Sequence, residues 1–125
     1  MSKYKNKKVV IDGMTFDSTK EGRFYLFLKE KEKNGDVSNL RRQVPYELIP
    51  EVWEDEIKHL KTKDKIVKRC VQRATHYLAD FVYTDSVTGE DVVIDVKSDY
   101  TRRLSDYRLK KKMMRAFKGI SIIEV

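Results

Sequence analysis

The stretch that most limits what this chain can fold into runs from Tyr77 to Lys97: Tyr-Leu-Ala-Asp-Phe-Val-Tyr, a short polar turn, then Val-Val-Ile-Asp-Val-Lys. It reads as strand, turn and strand, with Leu78, Asp80 and Val82 on one side of the first strand and Val93, Asp95 and Lys97 on one side of the second. A turn centred between Val87 and Thr88 pairs Tyr83 with Val92 and sets Asp80 opposite Asp95. Directly opposed side chains in an antiparallel pair have Cβ atoms roughly 4.5–5.5 Å apart, and like charges there are destabilising unless something offsets them. A divalent cation would do so.

Composition sets the outer bounds. A chain of 125 residues is one domain able to bury a core without staples, and the single Cys70 excludes an internal disulfide. No apolar run approaches the roughly 20 residues needed to span a bilayer, and the first residues lack the apolar stretch of a secretory signal. A cytoplasmic protein without membrane contact is expected. Twenty-seven Lys and Arg against 20 Asp and Glu give a net charge of +7, which favours a polyanionic partner.

Residues 1–8 carry four lysines and read as a flexible basic arm. Lys8 to Phe16 alternates around Asp12-Gly13, a pair suited to a tight hairpin turn. Ser18 and Glu21 have capping-box spacing, so a helix starts near Thr19, with Phe24, Tyr25 and Leu28 as its apolar stripe and Asn34-Gly35 at its end. Glu21 is either only a cap or an inward-pointing ligand of metal or water. Leu40 to Ile49 reads as a strand ended by Pro50, with Arg41 and Arg42 on a solvated edge and Gln43 open to contact with phosphate or site.

Residues 51–69 switch from acidic to basic and read as a solvated insertion, either a short helix or a hairpin-like extension. Val71 to Tyr83 is a long strand signal, Asp85 to Glu90 a turn, and Asp91 to Lys97 the next strand. Thr101 to Lys118 reads as one basic helix with Leu109, Met113, Ala116 and Phe117 as its apolar face. Gly119 ends it, and Ile120 to Val125 is a buried strand parallel to Asp91–Lys97 through a right-handed crossover. The fold class that follows is α/β: a mixed sheet flanked by helices, preceded by an N-terminal β-hairpin.

Two or three converging carboxylates suit a hard cation such as Mg²⁺, for which Mn²⁺ substitutes, and such an ion stabilises charge on a phosphoryl group. Lys97 reaches the same space as a point charge; it would position or deprotonate the attacking water, or stabilise the pentavalent phosphorus. In the basic helix Arg102, Arg103, Lys110 and Lys111 are placed to meet a DNA backbone, setting position and affinity without reading sequence. Tyr77, Tyr83 and Tyr107 are read as packing, as is Cys70, and His59 and His76 have no partner at ligand spacing.

Asp80 with Asp95-Val96-Lys97, the 15-residue spacing across a turn, and the upstream Ser-x-x-Glu21 together resemble the active-site signature of the PD-(D/E)XK nuclease superfamily. The element order resembles its αβββαβ restriction-endonuclease-like core. Lys8 to Glu21 and Tyr77 to Tyr83 look like a family of small phage-encoded proteins of uncharacterised function, related to phage Holliday-junction-resolving endonucleases. The resemblance implies that Glu21, Asp80 and Asp95 ligate metal and that Lys97 is the catalytic lysine. Ala79 stands where the superfamily often has proline, and Asp95 replaces the commoner glutamate. The implied activity is Mg²⁺-dependent endonucleolytic cleavage of DNA, at branched structures or junctions, in the host cytoplasm; paired cuts would call for a homodimer. The competing expectation is a non-catalytic nucleic-acid-binding module that kept the fold.

Overall fold

The computed structural model describes residues 7–125, so most of the predicted basic arm lies outside the described residues. The chain is a mixed α/β protein with, among the described residues, three sheets and three helices. Strands β1 (Val9–Ile11) and β2 (Met14–Phe16) form the predicted hairpin. Both turn residues take positive φ, Asp12 at 53° and Gly13 at 77°, which lets the connection follow the twist of its strands.

Helix α1 (Thr19–Lys33) starts where Ser18 accepts the Glu21 backbone N–H at 3.1 Å, and Gly35, at φ 83°, provides the left-handed turn after its end. Its buried positions are Glu21, Gly22, Tyr25 and Leu28, one stripe of a 3.6-residue period. A Cβ on Gly22 would stand 2.8 Å from Val9 Cγ2 and 3.0 Å from Ile11 Cδ1, so the hairpin rests directly on this glycine. Gly22→Ala, which in an open helical site would add up to about 1 kcal/mol, is instead expected to lower stability by about 1 kcal/mol through overpacking. Urea unfolding of the two proteins checks this, and a stabilised variant would refute the contact.

The central sheet has the order β3–β6–β7–β8: β3 (Val37–Ile49), β6 (Thr75–Asp85), β7 (Asp91–Asp95) and β8 (Ile123–Glu124). The first three pair antiparallel with their neighbours, and β8 lies parallel to β7. The expected pairing of Tyr83 with Val92 is present. Phe81 and Ile94 face α1 together with Phe16, Tyr25 and Leu28. Leu48, Tyr77, Ala79, Val82 and Val93 face the opposite layer, with Tyr107, Met114 and Ile122.

Two expectations need correction, and one open alternative is decided. The residues 71–83 do not form one strand: β5 ends at Gln72 and β6 begins at Thr75. β4 (Val52–His59) and β5 (Asp64–Gln72) make a separate two-stranded hairpin, which settles residues 51–69 as an arm of strands and not a helix. The basic segment is two helices, α2 (Asp99–Arg102) and α3 (Ser105–Lys118), because Leu104 leaves helical geometry at φ −63°, ψ 131°.

The face of α3 differs as well. Tyr107 and Met114 are buried, whereas Leu109 and Phe117 are more than half exposed. Anchoring of Tyr107 by Glu124 and of Lys111 by the same carboxylate turns the helix by part of a turn relative to its apolar pattern. The strand alternation expected for β6 also fails at one point: Leu78 is 51 % exposed, and Val82 joins Tyr77 and Ala79 in the core. The side-chain parity changes at Asp80, opposite Gln43, which holds a left-handed φ of 51°. Pairing on either side, Arg42 with Phe81 and Val44 with Ala79, keeps the same register. The ladder therefore flips faces without slipping.

Candidate functional site

The residues around this irregular rung line a pocket of about 210 Å³. Its walls are Asp17, Ser18, Lys20 and Glu21 from the start of α1, Asp80 from β6, and Val96, Lys97, Ser98 and Thr101 following β7. Glu21, Asp80 and Lys97, all predicted to bear the chemistry, thus meet in one region, with Asp95 immediately beneath.

Each acid is held by its own partners. Asp80 Oδ2 accepts the Val96 backbone N–H at 2.9 Å, which ties β6 to the end of β7. Asp95 is fully buried, and its Oδ2 accepts the Tyr77 hydroxyl at 2.6 Å. Its Oδ1 has no hydrogen bond; the Lys97 ammonium stands 3.4 Å from it and also lies 4.9 Å from the centre of the Tyr107 ring. The Glu21 backbone N–H completes the Ser18 cap, while its carboxylate is buried and turned towards Gln43 and Arg42. Gln43 Nε2 donates to Glu21 Oε1 at 3.4 Å, and the Arg42 guanidinium is 4.0 Å from the same oxygen.

Burial dominates the electrostatics. It pushes the Glu21 carboxyl up to about 7, with Asp80 and Asp17 adding to the rise and Arg42 opposing it. Asp95 is raised well above the carboxylate range, first by burial and then by Asp80 beside it, against the pull of the Tyr77 hydroxyl and Lys97. Burial and nearby carboxylates lift the Tyr77 and Tyr107 hydroxyls far beyond their ordinary range, so both serve as donors and not as bases.

Of the residues read as contacts for DNA, Gln43 faces Glu21, and Lys111 is bound to Glu124 at 2.6 Å. Lys110 lines a neighbouring cavity of about 240 Å³ that shares Lys97 and Thr101 with the first pocket, and Arg103 is exposed. A further basic groove on α3 is formed by Arg108, Lys111, Lys112 and Arg115.

Sequence reading missed three members of the site. Arg42, expected on a solvated edge, lies 4.1 Å from the centre of the Phe16 ring and donates to the Thr15 carbonyl at 3.2 Å. Nothing in the alternation of β3 announced this, because the left-handed Gln43 redirects the strand. Lys20 donates to the Lys97 carbonyl at 3.0 Å from the pocket wall. Tyr77 is core packing as expected, but its hydroxyl also binds Asp95.

Among the described residues, no three His, Cys, Asp or Glu side chains form a closed ligand set for an ion. The donor chemistry nevertheless suits a hard cation. Asp95 presents a buried oxygen with no hydrogen bond beside a second carboxylate, and Mg²⁺ is typically bound by one or two carboxylates with water and substrate oxygens completing its shell.

Fold and site together define a mixed α/β protein with a carboxylate-and-lysine pocket at the mouth of its central sheet. The chain belongs to the DUF1064 family, described as a protein of unknown function, whose family model matches residues 1–122. No curated protein and no solved structure matches it. No helix among the described residues is long and apolar enough to cross a membrane.

Proposed function

We propose that this protein is a metal-dependent endodeoxyribonuclease of the PD-(D/E)XK type, hydrolysing phosphodiester bonds in DNA, with branched DNA as its preferred form. The observation that carries the reading is Asp95: a fully buried carboxylate, with one oxygen bare of hydrogen bonds, set beside Asp80 and followed two residues later by Lys97. An acid pair in an apolar sheet is costly unless a proton, an ammonium group or a metal ion joins it, and the Lys97 ammonium stands on one side only. The order α1, β3, β6, β7, α3, β8 supports the same reading, since it follows the αβββαβ arrangement that the sequence resembles.

Asp80 and Asp95, with Glu21 on the pocket wall, would hold Mg²⁺ or Mn²⁺. When bound, the ion supplies Lewis-acid stabilisation of charge at the scissile phosphate. The chain's own residues do the rest. Tyr77 fixes Asp95 by occupying Oδ2, Val96 fixes Asp80 through its N–H, and Gln43 and Arg42 hold Glu21. Lys97 sets a positive charge where water oxygen bonds to phosphorus and the ester oxygen leaves. Lys20 and the net charge of +7 draw the phosphate backbone to the pocket. A phage-encoded role in DNA metabolism and a homodimer making paired cuts belong to this proposal.

The test is cleavage of four-way-junction, flap and linear duplex DNA by wild-type protein with Mg²⁺, with Mn²⁺ and with chelator. Expected are cuts only with a divalent ion, and faster on the branched forms. A protein that binds these DNAs but cuts none of them in either metal is the non-catalytic binding module.

A further inference from the structure

The β4–β5 hairpin lies apart from the pocket, and its two strands pack chiefly on each other. Every residue of β4 is exposed, and in β5 only Val67 and Cys70 are half-buried. Its middle is neutralised by cross-strand pairs, Asp55 with Lys68 at 2.9 Å and Glu56 with Arg69 at 3.9 Å. Towards the tip the balance changes. Lys58 stands directly opposite Lys65 in the ladder, a like-charge pairing that disfavours the hairpin on its own. Lys61 and Lys63 lie in the connection between the strands, closed by the Leu60 N–H donating to the Lys63 carbonyl at 2.9 Å. The one acid from residue 58 to 65 is Asp64, held by His59 at 2.8 Å.

Four exposed lysines therefore crowd the end of a two-stranded arm, a type of element marginal in water by itself. Leu60, 47 % exposed, stands among them. Below the tip the acids Glu51, Glu54, Asp55 and Glu56 are offset by Lys68, Arg69 and Arg73, so the excess positive charge of the arm is concentrated at its end.

We propose that the tip of the β4–β5 hairpin is a nucleic-acid grip: Lys58, Lys61, Lys63 and Lys65 engage backbone phosphates of DNA outside the pocket, and Leu60 packs against the sugar or base edge between them. Apolar side chains presented by such arms wedge at base steps, and lysine–phosphate contacts release counterions. The identity of the DNA as substrate rests on the function proposed above; the grip itself does not require cleavage.

The experiment measures binding in chelator, by fluorescence anisotropy of labelled duplex and four-way junction at several salt concentrations. Wild type is compared with the triple variant Lys61→Gln, Lys63→Gln, Lys65→Gln and with an equal-charge control, Lys29→Gln, Lys31→Gln, Lys33→Gln on α1. The tip variant is expected to bind roughly 10–100-fold more weakly near 0.1 M salt, with the slope of log affinity against log salt shallower by about 2–3. Its melting temperature should not fall, since like charges are removed, and the control should lose little. Equal losses in tip variant and control, or a tip variant that binds as wild type, overturn the grip. Tip-dependent binding to anionic vesicles without binding to DNA overturns it too. Wild type that binds through the tip yet never cuts refutes only the nuclease reading; wild type that cuts with an indifferent tip refutes only the grip.

Discussion

Lys97→Ala is expected to slow DNA cleavage by about 10²–10⁴-fold at saturating Mg²⁺, the range for losing a charge or proton-transfer group at a reacting centre. The Lys97 ammonium is the positive charge 3.4 Å from the bare Asp95 oxygen, and it is three-quarters buried, so its field is weakly screened. Its removal acts twice. The developing charge at phosphorus loses one of its cations, and Asp95 loses a group that holds its carboxyl down, so that carboxyl rises further. The variant should accordingly need higher pH for the activity it retains. Single-turnover rates from pH 6 to 9 separate the roles open to the lysine. If Lys97 acts through charge alone, Lys97→Arg recovers part of the rate with an unchanged pH profile; if it takes a proton, arginine recovers none and one limb of the profile disappears. A Lys97→Ala rate within about threefold of wild type would remove the lysine from the mechanism.

What was legible in the sequence followed from chemistry that acts over a few residues. Asp12-Gly13, Ser18 and the Val92-to-Asp95 alternation each dictate their own backbone, and the hairpin, the helix start and the β6–β7 register came from them. The acids were visible for the same reason: a carboxylate between Ala79 and Phe81, or between Ile94 and Val96, contradicts its neighbours. What failed depended on partners distant in sequence. The rung of Gln43 and Asp80 reverses the faces of both strands at once, a device with no local signature because Gln43 is not a residue that favours positive φ. That reversal brings Arg42 to Glu21 and Phe16 and puts Leu78 in solvent. The rotation of α3 is similar: Glu124, from the far end of the chain, binds Tyr107 and Lys111 and overrides the apolar pattern of Leu109 and Phe117.

Glu21→Gln is expected to reverse its effect on stability with pH and metal. The Glu21 carboxyl sits at about 7 in the folded protein against an ordinary value of 4.5. Between these values the folded state holds a proton that the unfolded state has released, so stability falls as pH rises through this window and levels off above it. The cost at pH 8 is about 3 kcal/mol for Glu21 alone, or on the order of 10 °C in melting temperature for a chain of this size. The glutamine side chain of the variant carries no proton to lose. Measured as the difference between variant and wild type, which cancels the titrating groups that do not interact with Glu21, metal-free stability should therefore shift in favour of the variant from pH 5 to pH 8. Millimolar Mg²⁺ should then act on wild type at pH 8, because the ion replaces the proton as the partner of a buried carboxylate and stabilises the state that binds it. The same addition should have a smaller effect on the variant. Thermal melts at pH 5 and pH 8, with and without Mg²⁺, provide the comparison. A difference that does not vary with pH would mean that Glu21 is solvated or that the Arg42 charge and the Gln43 hydrogen bond fully offset its burial. A pH-dependent difference with no response to Mg²⁺ would leave Glu21 as a buried proton holder and take it out of the metal site, while Asp80 and Asp95 would remain in it.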